Sequence, residues 1–194
     1  DLRRSRGLGD VYKRQDIAPG LSLLDGEILY KGVDILKLNQ SELNKLRGAN
    51  ISMIYQEPMA ALNPSIKVGK QIEEVFELHR PEIQRHQRKA ETLKLLQEMQ
   101  LPTPERIYQS YPHQVSGGQC QRIVIAMALA CQPDILIADE PTTALDVTTQ
   151  AEILALINEL KEVYDNATLF ITHDFGVVAD IADRVAVMLS LIHI

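Results

Sequence analysis

Asp134-Ile-Leu-Ile-Ala-Asp-Glu140 is a short, almost wholly apolar run that stops on two acids. A strand with one wet face would alternate apolar and polar residues, so an unbroken run of this length reads as a strand covered on both faces. Thr168-Leu-Phe-Ile-Thr172 is a second run of the same kind, and His173 follows it. Between the two, Thr148 to Val163 carries Ile153, Leu154, Ile157 and Leu160 on one stripe of an amphipathic helix. Phe175 to Ile181 reads as a further helix, and Val185 to Met188 as the start of a third strand. Alternating strands and helices predict a parallel α/β sheet with right-handed crossovers.

Upstream the rhythm changes. Gly26-Glu-Ile-Leu-Tyr-Lys-Gly-Val33 reads as a strand broken at Gly32, with a second short strand from Val33 to Leu36. Ser41 is placed to cap a short helix carrying Leu43 and Leu46, and Gly48 stops it. Ile51 to Tyr55 is a compact apolar strand ending at Gln56, after which Pro58 and Pro64 mark an irregular loop. From Val68 onward the pattern is helical, cut by Pro81, Pro102 and Pro104, and residues 68–130 form the expected subdomain of one domain over 16–188. Residues 1–15 are locally basic, with Arg3, Arg4, Arg6, Lys13 and Arg14 against Asp1 and Asp10, and show no strand or helix periodicity. Ser5–Gln15 and Leu189–Ile194 both resemble peptides that arise when sequencing adapters are translated by mistake. Segments 1–15 and 189–194 are therefore expected to be non-native and to carry no function.

Composition narrows the function classes. The 194 residues carry 20 Lys+Arg against 26 Asp+Glu, a net charge of −6, with 45% hydrophobic and 24% charged residues. These proportions are those of soluble globular proteins. The longest apolar run, Ile123 to Ala130, is well short of the ~20 residues a membrane-spanning helix needs. An acidic balance offers no broad footprint for nucleic acid, which is not an expected partner. Two cysteines, Cys120 and Cys131, exclude a disulfide framework and a four-cysteine zinc site; they read as small buried residues in a reducing compartment.

Ligands of parallel α/β sheets gather at the carboxyl ends of the strands. Three strands end there on polar residues: Gln56, the pair Asp139-Glu140, and His173. An acid pair after an apolar strand has the form of a Walker B motif, in which the first carboxylate holds Mg²⁺ through water and the second orients and deprotonates an attacking water. The same pair also fits two acids that simply face solvent at a strand end. Ser116-Gly-Gly-Gln119 precedes the Ile123–Ala130 run. Its glycines leave backbone N–H groups open to close approach, and a helix starting there carries roughly half a positive charge at its N-terminus, suited to phosphate oxygens. Ser116 and Gln119 also have the spacing of a capping box, and the two readings hold together.

Taken in order, these motifs resemble the nucleotide-binding subunit of ATP-binding cassette (ABC) transporters. Val115-Ser-Gly-Gly-Gln119 is similar to the LSGGQ signature, Ile135–Glu140 to the Walker B strand, Gln56 to the Q-loop glutamine, Thr143-Ala-Leu-Asp146 to the D-loop and His173 to the switch histidine. The likeness runs from about Gly26 to Met188. Gln56-Glu-Pro-Met-Ala-Ala-Leu-Asn-Pro64, Ala138-Asp-Glu-Pro-Thr-Thr-Ala-Leu-Asp-Val147 and Thr172-His-Asp-Phe-Gly-Val-Val-Ala179 further resemble the dipeptide/oligopeptide importer branch, which includes nickel importers. Val115 replaces the usual Leu, Cys120 stands where Met or Arg is common, and Ala60-Ala61 replace a Thr/Ser-Ser pair; none of these changes the chemistry.

The resemblance implies an α/β fold: part of a P-loop NTPase-like ABC nucleotide-binding domain, with a mainly parallel sheet core and a helical signature subdomain. It implies ATP and Mg²⁺ as cofactors and an ATPase coupled to transport. Glu140 would act as general base, His173 would contact the γ-phosphate, and Gln56 with Asp139 would place Mg²⁺. Two copies would face head to tail, so that Ser116, Gly117, Gly118 and Gln119 bind that phosphate in trans while Asp146 couples the two sites. The implied partners are a second ABC ATPase subunit, identical or different, transmembrane permease subunits, and indirectly a solute-binding protein. The implied location is peripheral, at the cytoplasmic face of the inner membrane. A non-transport cassette ATPase, or a module that only offers its signature to a partner, are the other readings of the same motifs.

The family's phosphate loop, G-x-x-x-x-G-K-[ST], finds no match here. At the Gly69-Lys70 pair, Gln71 follows where Ser or Thr is required, and Pro64 stands at the first Gly. Family spacing would put the loop at or before residue 1, so the chain is expected to be a fragment lacking that loop, an adenine-stacking aromatic and a C-terminal extension. Phosphoryl transfer rests on positioning and electrostatic stabilisation, and losing one preorganised donor typically costs ~10²–10³ in rate. The parent is thus expected to be an ATPase and this fragment inactive.

Overall fold

The computed structural model describes residues 26–143 and 145–187; the segments 1–15 and 189–194, and Met188, lie outside the described residues. The chain opens with an antiparallel hairpin, β1 (Leu29–Tyr30) and β2 (Val33–Asp34), turning at Lys31-Gly32. The extended run expected to reach Leu36 stops at Asp34. Its carboxylate accepts from the amides of Ile28 and Leu36 and starts a single 3-10 turn at Ile35–Lys37. Helix α1 (Gln40–Leu46) is capped by Asn39 rather than Ser41. Asn39 Oδ1 accepts from Glu42 N at 3.0 Å while Glu42 Oε2 accepts from Asn39 N at 2.9 Å, a reciprocal box that needs the acid three residues on.

Strand β3 (Ile51–Ile54) leads through Gln56 into α2 (Pro58–Ala61), a one-turn helix where an irregular loop was expected; Pro58 begins it, at a position whose missing N–H costs nothing. Then come α3 (Val68–His79), α4 (Arg85–Glu98), α5 (Pro104–Gln109), α6 (Gly117–Leu129), β4 (Ile135–Asp139), α7 (Val147–Tyr164), β5 (Ala167–Ile171) and α8 (Phe175–Ile181). Residues 185–187 form no strand, contrary to the expectation for Val185–Met188.

Strands β3, β4 and β5 pair in that order, all parallel. Helix α6 is the hub of the core. From Ile123 to Leu129 every residue is buried, and α6 packs against β3, α2, α3, α4 and α7. On the sheet, Leu136 and Ala138 are buried, whereas the alternate residues Ile135 and Ile137 are only half-buried and Leu169 and Ile171 of β5 are exposed. Side chains alternate across a sheet, so this pattern means one face is covered by helices and the other is open among the described residues. The expectation that β4 and β5 are covered on both faces does not hold here. Both thiols are buried as expected, and burial pushes Cys120 and Cys131 up to about 11.

Gly69 and Lys70 belong to the first turn of α3. A Cβ on Gly69 would lie 2.1 Å from the Tyr108 ring of α5, and Lys70 pairs with Glu73 at 2.5 Å. The glycine serves helix packing and its lysine a surface ion pair.

Candidate functional site

Parallel register sets the strand ends side by side. Ile54 lies opposite Ala138, and Asp139 opposite Ile171, so Gln56, Asp139-Glu140 and His173 leave the sheet at one rim. Just beyond β4, Glu140 N donates to Ile171 O at 3.0 Å and extends the ladder by one residue. Glu140 itself has φ of +44°, in the left-handed region, directly before Pro141. A residue preceding proline avoids helical backbone, and such a conformation costs about 1–3 kcal/mol. Thr143 N closes the turn on Glu140 O at 3.3 Å.

This turn aims the carboxylate at three donors. Gln56 Nε2 and Thr143 Oγ1 each donate to Glu140 Oε2 at 3.0 Å, and His173 Nδ1 lies 2.9 Å from Oε1. The His173 bond, seconded by Thr143, holds the Glu140 carboxyl below its ordinary range. An ionised carboxylate only accepts, so the proton of this bond sits on His173 Nδ1 and leaves Nε2 to face other groups. The Glu140 side chain is 24% exposed and that of His173 73% exposed, so the cluster opens to solvent through the histidine. The side chain of Asp139, half-buried at the end of β4, makes no hydrogen bond or ion pair among the described residues, and Gln56 Oε1 is likewise uncommitted. No group of three His, Cys, Asp or Glu converges as a metal cluster among the described residues.

The Ser116–Gln119 segment is built locally. Ser116 Oγ accepts from Gln119 N at 3.3 Å, and Gln119 Oε1 accepts from Ser116 N at 3.1 Å, so the expected capping box is present. It uses the amides of Ser116 and Gln119 and leaves those of Gly117 and Gly118. The two glycines then differ. A Cβ on Gly117 would meet open space, while one on Gly118 would lie 2.7 Å from Thr149 Cγ2 in α7. Asp146 caps α7, accepting from Thr149 N at 3.0 Å and Thr149 Oγ1 at 2.7 Å, and the backbone bond from Thr149 leads in holding its carboxyl below the ordinary range. Among the described residues no hydrogen bond or ion pair joins this segment to the Glu140 cluster. Two threonines escaped the sequence reading as site members. Thr143 holds Glu140 and Thr149 holds Asp146, and each lies three residues after its acid, a spacing that could have shown them.

Parallel strands ending on an ionised acid, a glutamine and a histidine, and a separate glycine-opened helix start, are the features on which a cassette-type fold is recognised. The chain belongs to the ABC transporter family, whose model matches residues 17–143. Its curated relatives include peptide-transport ATP-binding proteins. The chain is 53% identical over 163 residues to the oligopeptide transport ATP-binding protein OppD of Bacillus subtilis, a match covering 84% of this chain and 45% of that protein. It is 54% identical over 164 residues to the dipeptide transport ATP-binding protein DppD of the same organism, covering 84% and 49%. To OppD of Haemophilus influenzae it is 48% identical over 165 residues, covering 85% and 51%. The chain thus spans about half the length of the curated relatives it matches. Among solved structures, the dimeric bacterial ABC transporter cassette MJ0796 is similar at a TM-score of 0.69 and 32% identity, over 80% of this chain and 66% of that one. The same cassette in a post-hydrolysis dimer bound to ADP and Pi gives a TM-score of 0.68 at 32% identity, over 79% and 65%.

Proposed function

We propose that the whole protein represented by this chain is the ATP-hydrolysing subunit of an importer for peptides, peripheral to the cytoplasmic face of the membrane. In this reading it works as a head-to-tail pair with a second ATPase subunit beneath permease subunits that a solute-binding protein supplies. One observation carries it: a single ionised carboxylate, Glu140, gathers Gln56, Thr143 and His173 at the carboxyl ends of a parallel sheet. The descriptions of the relatives as oligopeptide and dipeptide transport proteins support the solute class.

Glu140 is the general base in this reading. Its two oxygens offer about four lone-pair sites and three are engaged, so one remains to take a proton from water. His173 holds that carboxylate ionised through Nδ1 and presents Nε2 toward the γ-phosphate. Ser116, Gly117, Gly118 and Gln119 receive the phosphate of the partner subunit, chiefly on the free amides of the two glycines, and Asp146 couples the two sites across the interface. Asp139 and Gln56 Oε1 are hard oxygen donors left open, which suits Mg²⁺, a cation that takes few protein ligands and completes its shell with water and phosphate. When bound, Mg²⁺ neutralises charge on the transferring phosphoryl group. Because Gly69-Lys70 is folded into α3, residues 1–194 are expected to supply the signature half of a composite site and no turnover alone.

Photolabelling with an azido-ATP separates the outcomes. Mixed with an intact peptide-importer cassette, 1–194 is expected to be labelled on the peptide holding Ser116–Gln119, and not without the partner. Labelling independent of the partner, or ATP turnover by 1–194 alone that Glu140→Gln abolishes, would overturn this assignment.

A further inference from the structure

Met59 stands on α2, three residues after Gln56, and is 48% exposed. Its Sδ lies 3.1 Å from Sγ of Cys120 in the first turns of α6, a residue with no exposure at all. The Cys120 thiol has one proton and two acceptors in reach, Met59 Sδ and the Pro112 carbonyl at 3.6 Å. Two sulfurs thus meet at one seam with opposite accessibility. The thiol is sealed and stays protonated, which silences it as a nucleophile, while the methionine that covers it is about half exposed. The other described methionines are buried, Met53 at 8%, Met99 at 0% and Met127 at 7%.

We propose that Met59 is an oxidation site whose sulfoxidation by a hydroperoxide unlatches α2 from α6 over Cys120. A lone pair of Sδ attacks the terminal peroxide oxygen; the S–O bond forms as the O–O bond breaks. Sulfur loses two electrons, and the departing oxygen takes up a proton and leaves as water or alcohol. The product is reversible by sulfoxide reductases. The polar sulfoxide is better solvated outside than in the seam, so Met59 swings outward and Cys120 keeps the Pro112 carbonyl as its acceptor. Pro58 and Ala61 remain buried and hold α2 at its ends, so the change uncovers Cys120 without unfolding the helical block. The latch rests on packing alone and is independent of the nucleotide reading.

The test needs only the chain and dilute hydrogen peroxide, followed by peptide mass spectrometry and timed alkylation with N-ethylmaleimide. The Met59 peptide is expected to gain one oxygen well before those of Met53, Met99 and Met127. The alkylation rate of Cys120 should then rise about tenfold relative to Cys131, which serves as the internal control for global opening. Met59→Leu keeps the volume and removes the oxidisable sulfur, so its Cys120 rate should not respond to peroxide. Equal oxidation of buried methionines, an unchanged Cys120:Cys131 ratio in the oxidised wild type, or the same rise in Met59→Leu would each overturn the proposal. The wild-type ratio decides by itself if the variant does not fold.

Discussion

The Glu140 cluster and the α6 cap share one framework but are assembled in opposite ways. Glu140 draws its donors from Gln56 beyond β3, Thr143 in its own turn and His173 beyond β5, so the cluster exists only because three strands keep their register. The α6 cap closes within four residues, from Ser116 to Gln119, and depends on one helix that the core holds from nearly every side. The first arrangement brings distant groups onto one carboxylate and is exposed through His173. The second spends little on assembly and leaves two backbone amides ready. A site that must respond to a ligand suits the former; a site that must offer fixed donors to another molecule suits the latter.

The largest effects are expected from substituting the two glycines separately. Gly118→Ala drives a Cβ to 2.7 Å from Thr149 Cγ2, and Thr149 cannot rotate freely because its hydroxyl is bound to Asp146. Overpacking of this kind costs about 1–3 kcal/mol, expected as a lower urea midpoint. Gly117→Ala enters open space and trades a flexible residue for a helix former, so it should be neutral or stabilising by about 0.5–1 kcal/mol. Equal midpoints for the two variants would show that α7 does not press on the signature turn.

Much of this was legible in the sequence because the signals are local. Apolar runs that stop on polar residues placed Gln56, Glu140 and His173 at strand ends, and parallel pairing then obliged them to meet. The Ser116–Gln119 spacing was enough for the cap. What failed depended on competition or on distant cover. Ser41 and Asn39 are both good caps, and Glu42 decides for Asn39 because it lies three residues after it. Leu169 and Ile171 are as apolar as Leu136, yet their exposure depends on what packs over the sheet, which strand composition does not encode. The helix that Pro58 begins is a single turn, too short for any periodicity to reveal.

A smaller effect sharpens the contrast from the cap side. Ser116→Ala removes the acceptor for Gln119 N and should cost about 1 kcal/mol in urea unfolding. Because the box is local, the carboxyl carbon resonance of Glu140 should not move in that variant. A shift there would mean the two clusters are coupled through the core.

The smallest expected change is a titration, and it probes the cross-strand cluster directly. The Glu140 carboxyl is held below its ordinary range chiefly by the His173 bond, with Thr143 adding to it. A carboxylate whose value is lower in the folded chain contributes stability above its unfolded value, and that contribution fades as pH falls through the folded one. Carbon-13 titration of the Glu140 side chain should therefore show a midpoint below that of an unstructured glutamate. His173→Ala should raise it more than Thr143→Ala, in the order of the two contributions. If the larger rise followed the threonine, the imidazole would not be the group that keeps this carboxylate ionised, and the role given to His173 Nδ1 would pass to the turn that carries Glu140.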